Sequence, residues 1–282
     1  MVSNDQRRRQ LAREKFLRQQ ERREAARRRS RRRNAVIASA VVVVLAAGGG
    51  AWAGGAFSKD DGDSKAKNDA AAAPTPSASP SKAADPCAKP APGKVRNLSF
   101  KKEPAMSVDT SADYTMNLAT TCGDIPLDLS AKKAPHTVNS FKFLADKGYF
   151  DHTKCHRLTT AGIYVLQCGS QTGNGAGGPG YTLPDENLKD KSLKGKVYPA
   201  GTVAMANQYN AQDKSGRNTG GSQFFLVYQD SPLPPDYTPF GTISKAGAKV
   251  LKKIANAGES SGQGDGAPNA TVVINKATVT KS

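Results

Sequence analysis

Closely spaced cysteine pairs of the kind that hold zinc are missing from this chain. It has three histidines, one tryptophan and four cysteines in 282 residues, and no two of its cysteines form a Cys-x-x-Cys pair. Zinc sites are built from close pairs of cysteine and histidine ligands. The sequence therefore predicts no metal site, and it offers no support for any other cofactor.

A dinucleotide site is also not expected, although residues 173–178 match the glycine pattern G-x-G-x-x-G. In dinucleotide-binding proteins this pattern follows a strand and opens a helix. Here Pro179-Gly180 and Leu183-Pro184 follow, which is a loop sequence. We interpret residues 173–178 as a glycine-rich loop.

Acidic residues are scarce at the start of the chain. Residues 1–33 hold 13 arginines and one lysine against four acidic residues, so most of the net charge of +17 lies there. The arginines are not interleaved with a series of aromatic residues that could stack on bases, so we expect no nucleic-acid partner. The tail could instead form a basic helix lying on anionic lipid.

Charged residues are absent from residues 35–57. A helix of this length would be about 34 Å long, enough for a hydrocarbon core of about 30 Å. Arginines before such a segment favour a cytoplasmic N-terminus. The pattern predicts a single-pass signal anchor in the cell membrane, with residues 1–34 as a cytoplasmic tail and the remainder extracytoplasmic. A cleaved signal peptide, which would release a secreted domain, is the alternative, because Ala51-Trp52-Ala53 fits a cleavage site.

Large apolar residues are few in residues 58–95, which are rich in alanine, proline and serine. Such a segment cannot bury a core, so it is predicted to be a disordered linker. Residues 96–282 are long enough for one domain with a sizeable core.

Short strand patterns and two helical patterns fill residues 96–282. Apolar and polar residues alternate over residues 114–118 and 125–129, around a turn at residues 122–124, which predicts a β-hairpin. Helical spacing predicts helices over residues 134–145 and 246–255, and residues 271–279 form a last strand. An all-β domain with two helices, closed into a barrel, fits this order.

Residues 218–228 place a polar, glycine-bearing turn directly before aromatic and β-branched residues, as in a loop that leads into a buried strand. Gln223 and Phe225 should share one face of this strand, and Phe224 and Leu226 the other. One face can fill a core while the other offers an amide and an aromatic ring to a pocket. Packing alone is the alternative interpretation of this segment.

Four blocks of sequence occur in a recognisable order. They are Cys155-His156-Arg157-Leu158 to Gln167-Cys168-Gly169, Ala204-Met205-Ala206-Asn207, Gly221-Ser222-Gln223-Phe224-Phe225 and Phe240-Gly241. Together they resemble the signature blocks of the cyclophilin family of peptidyl-prolyl isomerases, here in a bacterial membrane-anchored or exported form. The resemblance covers the chain from about residue 113 onward. It implies a closed eight-stranded antiparallel β-barrel with a helix capping each end, and a glycine-rich loop beside the substrate groove.

The resemblance also implies roles for individual residues. Arg157 would be a cation beside the substrate's Xaa-Pro amide, Gln167 would orient its guanidinium, and Asn207 would hold the substrate backbone through its own main chain. These three are the candidate catalytic residues. The candidate substrate-binding residues are Tyr164, Val165, Ala206, Gln223, Phe225, Leu233 and Tyr237.

The implied function is acceleration of Xaa-Pro bond rotation in exported proteins as they fold. The alternative is a catalytically weak module or chaperone that binds proline-containing segments at the membrane. Pro232 stands where the family frequently has tryptophan, and Tyr237 stands in place of the usual histidine. These departures predict weak cyclosporin binding.

The four cysteines follow the predicted anchor, and in an exported domain an even number favours disulfides, with three connectivities open. Reduced, buried thiols are the alternative. The barrel that the resemblance implies places Cys155 and Cys168 on neighbouring strands, so we pair these two and also pair Cys87 with Cys122. His156, on the face opposite Arg157, is expected to be a structural histidine with its hydrogen bonds satisfied.

Overall fold

A computed structural model describes residues 84–282. The predicted cytoplasmic tail, the predicted anchor and most of the predicted linker lie outside these residues. Within the described part of the chain, no helix combines the length and the apolar character needed to cross a membrane. Residues 84–95 run along the domain, where the N–H of Ala88 donates to the carbonyl of Thr121 at 2.9 Å and that of Ala91 to Oδ1 of Asn275 at 3.0 Å.

Short strands and two helices make up the described domain. The strands are β1 (Tyr114–Thr120), β2 (Gly123–Leu129), β3 (Thr153–Lys154), β4 (Arg157–Thr159), β5 (Val165–Cys168), β6 (Val197–Tyr198), β7 (Thr202–Met205), β8 (Phe224–Val227), β9 (Ser231–Pro232), β10 (Pro239–Ile243), β11 (Asp265–Gly266) and β12 (Val273–Lys281). The helices are α1 (Pro135–Asp146) and α2 (Lys245–Asn256), and a 3-10 turn spans Lys194–Lys196. The predicted all-β domain with two helices is confirmed.

The hairpin of β1 and β2 forms where the alternating pattern predicts it. Every residue of β1 pairs with β2, from Tyr114 opposite Leu129 to Thr120 opposite Gly123. Met116 and Leu118 are almost fully buried on one face, because alternate side chains of a strand point the same way. β12 pairs along the other edge of β1, so the start and the end of the domain share one sheet.

Both predicted helices are present. Pro135 occupies the first turn of α1, and Phe141 of this helix lies with its ring centroid 4.6 Å from that of Phe240 and 5.5 Å from that of Phe224. In α2, the hydroxyl of Ser244 accepts a hydrogen bond from the N–H of Gly247 at 3.1 Å, which caps the helix N-terminus. Leu251 and Ile254 of α2 are buried in the same main core as Phe141 of α1, so both helices close that core.

The predicted closed barrel of eight strands is corrected by the hydrogen-bond ladder. Ten strands form one strongly curled sheet in the order β11-β4-β5-β8-β7-β10-β2-β1-β12-β3, and β6 pairs with β9 separately. The two ends of the sheet are linked by the chain itself. Between β3 and β4, the N–H of Cys155 donates to Val272 at 3.0 Å while the N–H of His156 donates to Gln167 at 3.0 Å. Val272 directly precedes β12, near one end of the strand order, whereas Gln167 lies in β5, near the other end, so the ladder is interrupted between β3 and β4.

Both predicted disulfides are present. Cys87 is bonded to Cys122, which ties the segment before the domain to the turn of the first hairpin. Cys155 is bonded to Cys168, which ties the junction of β3 and β4 to the end of β5. None of the four cysteines is free.

Replacing Cys155 and Cys168 together with serine is expected to lower the free energy of unfolding by about 3 kcal/mol, because their bond closes a short loop in the unfolded chain. The bond between Cys87 and Cys122 closes a longer loop, so replacing both of these cysteines with serine should lower the free energy of unfolding by about 4 kcal/mol. Guanidinium-induced unfolding of the full-length chain in detergent measures both. Losses below about 1 kcal/mol in both variants would show that the bonds do not restrict the unfolded chain as this account requires.

Candidate functional site

Strand β8 separates two apolar clusters, as its alternating side chains predict. Phe224 and Leu226 point into the main core between the sheet and the helices. Phe225 and Val227 point outward into a second cluster, which they share with Val165. The second cluster lies on the outer face of the sheet, so an apolar surface forms there without opening the core.

A cavity of about 240 Å³ opens on this outer cluster, and we call it the outer cavity. It is lined by Arg157, Ile163, Val165, Gln167, Ala206, Asn207, Phe225, Leu233 and Tyr237. Eight of the candidate site residues are therefore brought to one place from β4, β5, β8 and two loops. The cavity combines an apolar wall with one cationic side chain.

Tyr164, which was predicted to line the site, lies outside the outer cavity, and Ile163 lines it instead. The cause is the alternation of side chains along the strand, which places residues 163, 165 and 167 on one face. The ring of Tyr164 packs edge-on against that of Tyr228, with 6.0 Å between centroids. The segment between Arg157 and Gln167 is two residues longer than is usual in the family that the sequence resembles, so the sequence did not indicate this register.

Arg157 and Gln167 face each other across the β4–β5 ladder. The Nη1 of Arg157 donates to Oε1 of Gln167 at 3.3 Å. The amide of Gln167 in turn donates to Oε1 of Gln223 at 3.1 Å, and the amide of Gln223 donates to the carbonyl of Gly175 at 2.8 Å. A relay of hydrogen bonds therefore links the guanidinium to the glycine-rich loop.

Asp265 contacts Arg157 and was missed in the sequence. Its two carboxylate oxygens accept from Nε at 2.8 Å and from Nη2 at 2.7 Å. The two residues are 108 positions apart, and Asp265 sits in a glycine- and serine-rich segment with no motif of its own. Only the pairing of β11 with β4 brings them together.

The ionisation states of Arg157 and Asp265 are set by the hydrogen bonds between them. Hydrogen bonding to Asp265 raises the pKa of Arg157, although burial of the guanidinium opposes the shift. The same hydrogen bond lowers the pKa of Asp265 below its ordinary value. Both groups are therefore charged across the range in which proteins normally work.

The glycine-rich loop forms one wall of a neighbouring groove of about 700 Å³. This groove shares Gln167, Ala206 and Asn207 with the outer cavity, and Gln223 lines it. Residues 173–178 consist of bends and irregular backbone and do not open a helix, which confirms the loop interpretation. A chain lying along the groove would pass directly into the outer cavity.

Asn207 is held by its side chain. Its amide nitrogen donates to the carbonyl of Asp236 at 2.8 Å, and its Oδ1 accepts from the N–H of Tyr209 at 3.1 Å. Within the described part of the chain, no protein group bonds to its main-chain N–H or carbonyl. The main chain of Asn207 can therefore accept a bound peptide.

Tyr237 closes one side of the outer cavity and is fixed from beneath by Tyr198, a residue that the motifs did not indicate. The hydroxyl of Tyr198 donates to the carbonyl of Tyr237 at 2.6 Å and accepts from its N–H at 3.1 Å. The ring of Tyr237 packs edge-on against Phe225 with 5.5 Å between centroids. Burial raises the pKa of Tyr237, so its phenol is neutral near pH 7.

His156 departs from expectation in one respect. Its Nδ1 is buried and has no hydrogen-bond partner among the described residues, whereas a satisfied histidine was predicted. Burial and the neighbouring charge of Arg157 lower the pKa of His156, so its ring is neutral near pH 7. The ring of His156 lies against Gly175 of the glycine-rich loop. Because this ring is neutral, it brings no second cation to the loop.

Comparison with known proteins identifies the fold. The family model described as "Cyclophilin type peptidyl-prolyl cis-trans isomerase/CLD" matches residues 115–279. A "Probable peptidyl-prolyl cis-trans isomerase B" of Mycobacterium leprae is 46% identical over 201 residues, which cover 68% of this chain and 62% of that relative. Its counterpart in Mycobacterium tuberculosis is 43% identical over 204 residues, which cover 70% of this chain and 60% of the relative.

A third relative, a peptidyl-prolyl cis-trans isomerase of Dictyostelium discoideum, is 38% identical over 146 residues, which cover 50% of this chain and 85% of its own length. The chain thus spans less than two thirds of the length of the two mycobacterial relatives. The family model matches more than half of the chain. This chain belongs to the cyclophilin-type peptidyl-prolyl cis-trans isomerase family.

Proposed function

We propose that this chain is a peptidyl-prolyl cis-trans isomerase that accelerates Xaa-Pro bond rotation in proline-containing polypeptides. The observation that carries the proposal is the single guanidinium of Arg157 at the wall of an apolar cavity lined by Phe225 and Leu233. An apolar cavity accepts a proline ring, and a fixed cation beside it meets the amide that precedes the ring.

The reaction needs no bond to be broken. Rotation of a peptide bond faces a barrier of about 18–20 kcal/mol, because conjugation between nitrogen and carbonyl is lost at the twisted geometry. The twisted nitrogen becomes pyramidal and gains a basic lone pair. An N–H of Arg157 can donate to this lone pair, which is unavailable in either planar form, so the interaction lowers the barrier selectively.

Arg157 supplies part of the effect. One charge-assisted hydrogen bond contributes about 1.5–3 kcal/mol, which corresponds to about 10- to 150-fold in rate. The main chain of Asn207 and the groove beside Gln223 would hold the residues that flank the proline. Holding both sides while the central bond turns supplies a further share by orientation.

The alternative is a module that binds proline-containing segments with little turnover. Two observations favour it: Pro232 and Tyr237 depart from the family pattern, and Asp265 neutralises part of the charge of Arg157. Against it, Arg157, Gln167 and Phe225 converge on one cavity beside a polar groove. We therefore place isomerisation first.

We also propose that the domain acts outside the cytoplasm, on exported proteins, and is held at the cell membrane by residues 35–57. The support is the uncharged run after an arginine-rich tail and the two disulfides, which persist in oxidising compartments. Anionic lipid is proposed as a further partner of residues 1–34.

Replacing Arg157 with alanine is expected to lower kcat/KM by about 10- to 150-fold, since one charge-assisted hydrogen bond to the twisted amide is lost. A proline-isomerisation assay on the full-length chain in detergent measures this. Arg96→Ala is the matched control, because the side chain of Arg96 donates to the carbonyl of Lys147 and does not line the outer cavity. Equal rates for wild type and Arg157→Ala would exclude the proposed mechanism.

Cyclosporin should inhibit the isomerase activity weakly, because Pro232 and Tyr237 replace two ring systems that are frequent in the family. Pro232 lies in β9, paired with Val197, and offers no ring N–H to an inhibitor. Titration of the isomerase assay with cyclosporin measures the inhibition constant. A value in the nanomolar range would contradict this prediction.

Deleting residues 1–33 should leave isomerase activity unchanged while orientation in the membrane is lost, since the arginines direct topology. Protease added outside intact cells should cleave the domain of the full chain and spare that of the deletion variant. Equal protection of both chains would refute the extracytoplasmic assignment and leave the enzymatic one intact. Loss of activity on deletion would instead assign the tail a role in the reaction.

A further inference from the structure

Asp265 occupies one edge of the Arg157 guanidinium and leaves another edge open. A guanidinium has five N–H donors in a fixed plane. The Nε–H and one Nη2–H donate to Asp265, and one Nη1–H donates to Gln167. Among the residues that the structure describes, two N–H donors of Arg157, one on each Nη, have no acceptor. Since Arg157 lines the outer cavity, these are the donors available to a bound amide.

The carboxylate of Asp265 is held in place by its own short strand. Asp265 pairs with Thr159 and Gly266 with Leu158, so β11 lies beside the strand that carries Arg157. The N–H of Thr160 donates to the carbonyl of Gly264 at 2.9 Å and extends this ladder. The backbone of residue 265 is therefore fixed relative to that of residue 157.

A buried carboxylate shapes the loop that precedes β11. Glu259 is 8% exposed, and its carboxylate accepts from the N–H of Gly264 at 2.8 Å and from the N–H of Ser261 at 2.5 Å. Two backbone donors bound by one buried acid restrict the loop between them. Asp265 follows directly, so its position is set by a constrained loop.

The stability of the fold does not explain why Arg157 and Asp265 are paired. The side chains of Arg157 and Asp265 are 38% and 55% exposed, and ion pairs with such exposure contribute little to folding. Arg157 could remain solvated without a partner. The bidentate geometry instead restricts a long side chain that would otherwise sample many rotamers.

We propose that Asp265 is a positioning residue for the isomerase reaction, and that it fixes the Arg157 guanidinium with its two unused donors at the wall of the outer cavity. This inference rests on the proposed function. Asp265 also has an effect that opposes catalysis, because its negative charge weakens the electrostatic attraction between Arg157 and the dipole of a substrate amide. Orientation outweighs it here, since the hydrogen bond to the twisted nitrogen is short-ranged and directional while the longer-range field is screened by solvent.

Replacing Asp265 with asparagine tests the proposal. Asparagine keeps the shape but offers one acceptor oxygen, and its amide N–H₂ would face an arginine donor. We expect kcat/KM for an Ala-Pro tetrapeptide to fall about 5-fold in the full-length chain in detergent, with the thermal midpoint unchanged. Asp265→Glu keeps the charge and should recover most of the activity. A value for Asp265→Asn at or above that of the wild type would overturn the proposal.

A double-mutant cycle separates positioning from a general structural effect. In the Arg157→Ala background, Asp265→Asn should cause no further loss, whereas a structural effect would persist there. Asp109→Asn is the matched control, because Asp109 forms a similarly exposed pair with Lys281, and neither residue lines the outer cavity. It should leave kcat/KM unchanged.

The outcomes distinguish this inference from the proposed function. If Arg157→Ala lowers kcat/KM while Asp265→Asn does not, the isomerase mechanism holds and the positioning role is rejected. If Arg157→Ala also matches the wild type, the proposed mechanism fails and the role of Asp265 fails with it. An equal fall for Asp265→Asn with and without Arg157 rejects positioning and assigns the effect to folding.

Discussion

The cross-strand register of β4, β5 and β8 is the constraint on which the site depends. It sets Arg157 opposite Gln167 and Gln167 opposite Phe225, so a cation, an amide and an aromatic ring lie side by side on the outer face. A shift of one residue would turn each of these side chains toward the core. Leu158, Leu166 and Leu226 occupy the inner face and are fully buried, which makes such a shift costly.

Several features reinforce this register. The Cys155–Cys168 disulfide joins the junction of β3 and β4 to the end of β5, close in sequence to Arg157 and Gln167. Beneath the sheet, Phe224 packs against Phe141 of α1. On the outer side, Tyr198 holds the backbone of Tyr237. The cavity is thus shaped by packing on both faces, and its one cation is restrained at three of its five donors.

Restraint of this kind suits a reaction without a covalent step. A catalyst of bond rotation acts only through differences in binding between planar and twisted amides, so the placement of one donor and one apolar wall matters more than nucleophilicity or metal chemistry. The lowered pKa of Asp265 and the raised pKa of Arg157 keep both charges present at neutral pH. The neutral ring of His156 adds no competing charge.

Local patterns in the sequence determined much of the fold. Alternation predicted the first hairpin and the two faces of β8, and helical spacing predicted α1 and α2, because each element buries a face with its own period. The resemblance to the cyclophilin family led to the candidate site residues and to both disulfide pairings. These features depend on neighbours in sequence or on motifs with fixed spacing.

Other features were decided by the tertiary structure alone. Ile163 lines the outer cavity in place of the predicted Tyr164, because strand register depends on the partner strand. The two extra residues before Gln167 made this register unreadable from the sequence. The sheet has ten strands and open ends because consecutive N–H groups at Cys155 and His156 bond in opposite directions. Asp265 reaches Arg157 across 108 residues through the pairing of β11 with β4. Contacts of this kind follow from how distant strands meet in space, which no local pattern records.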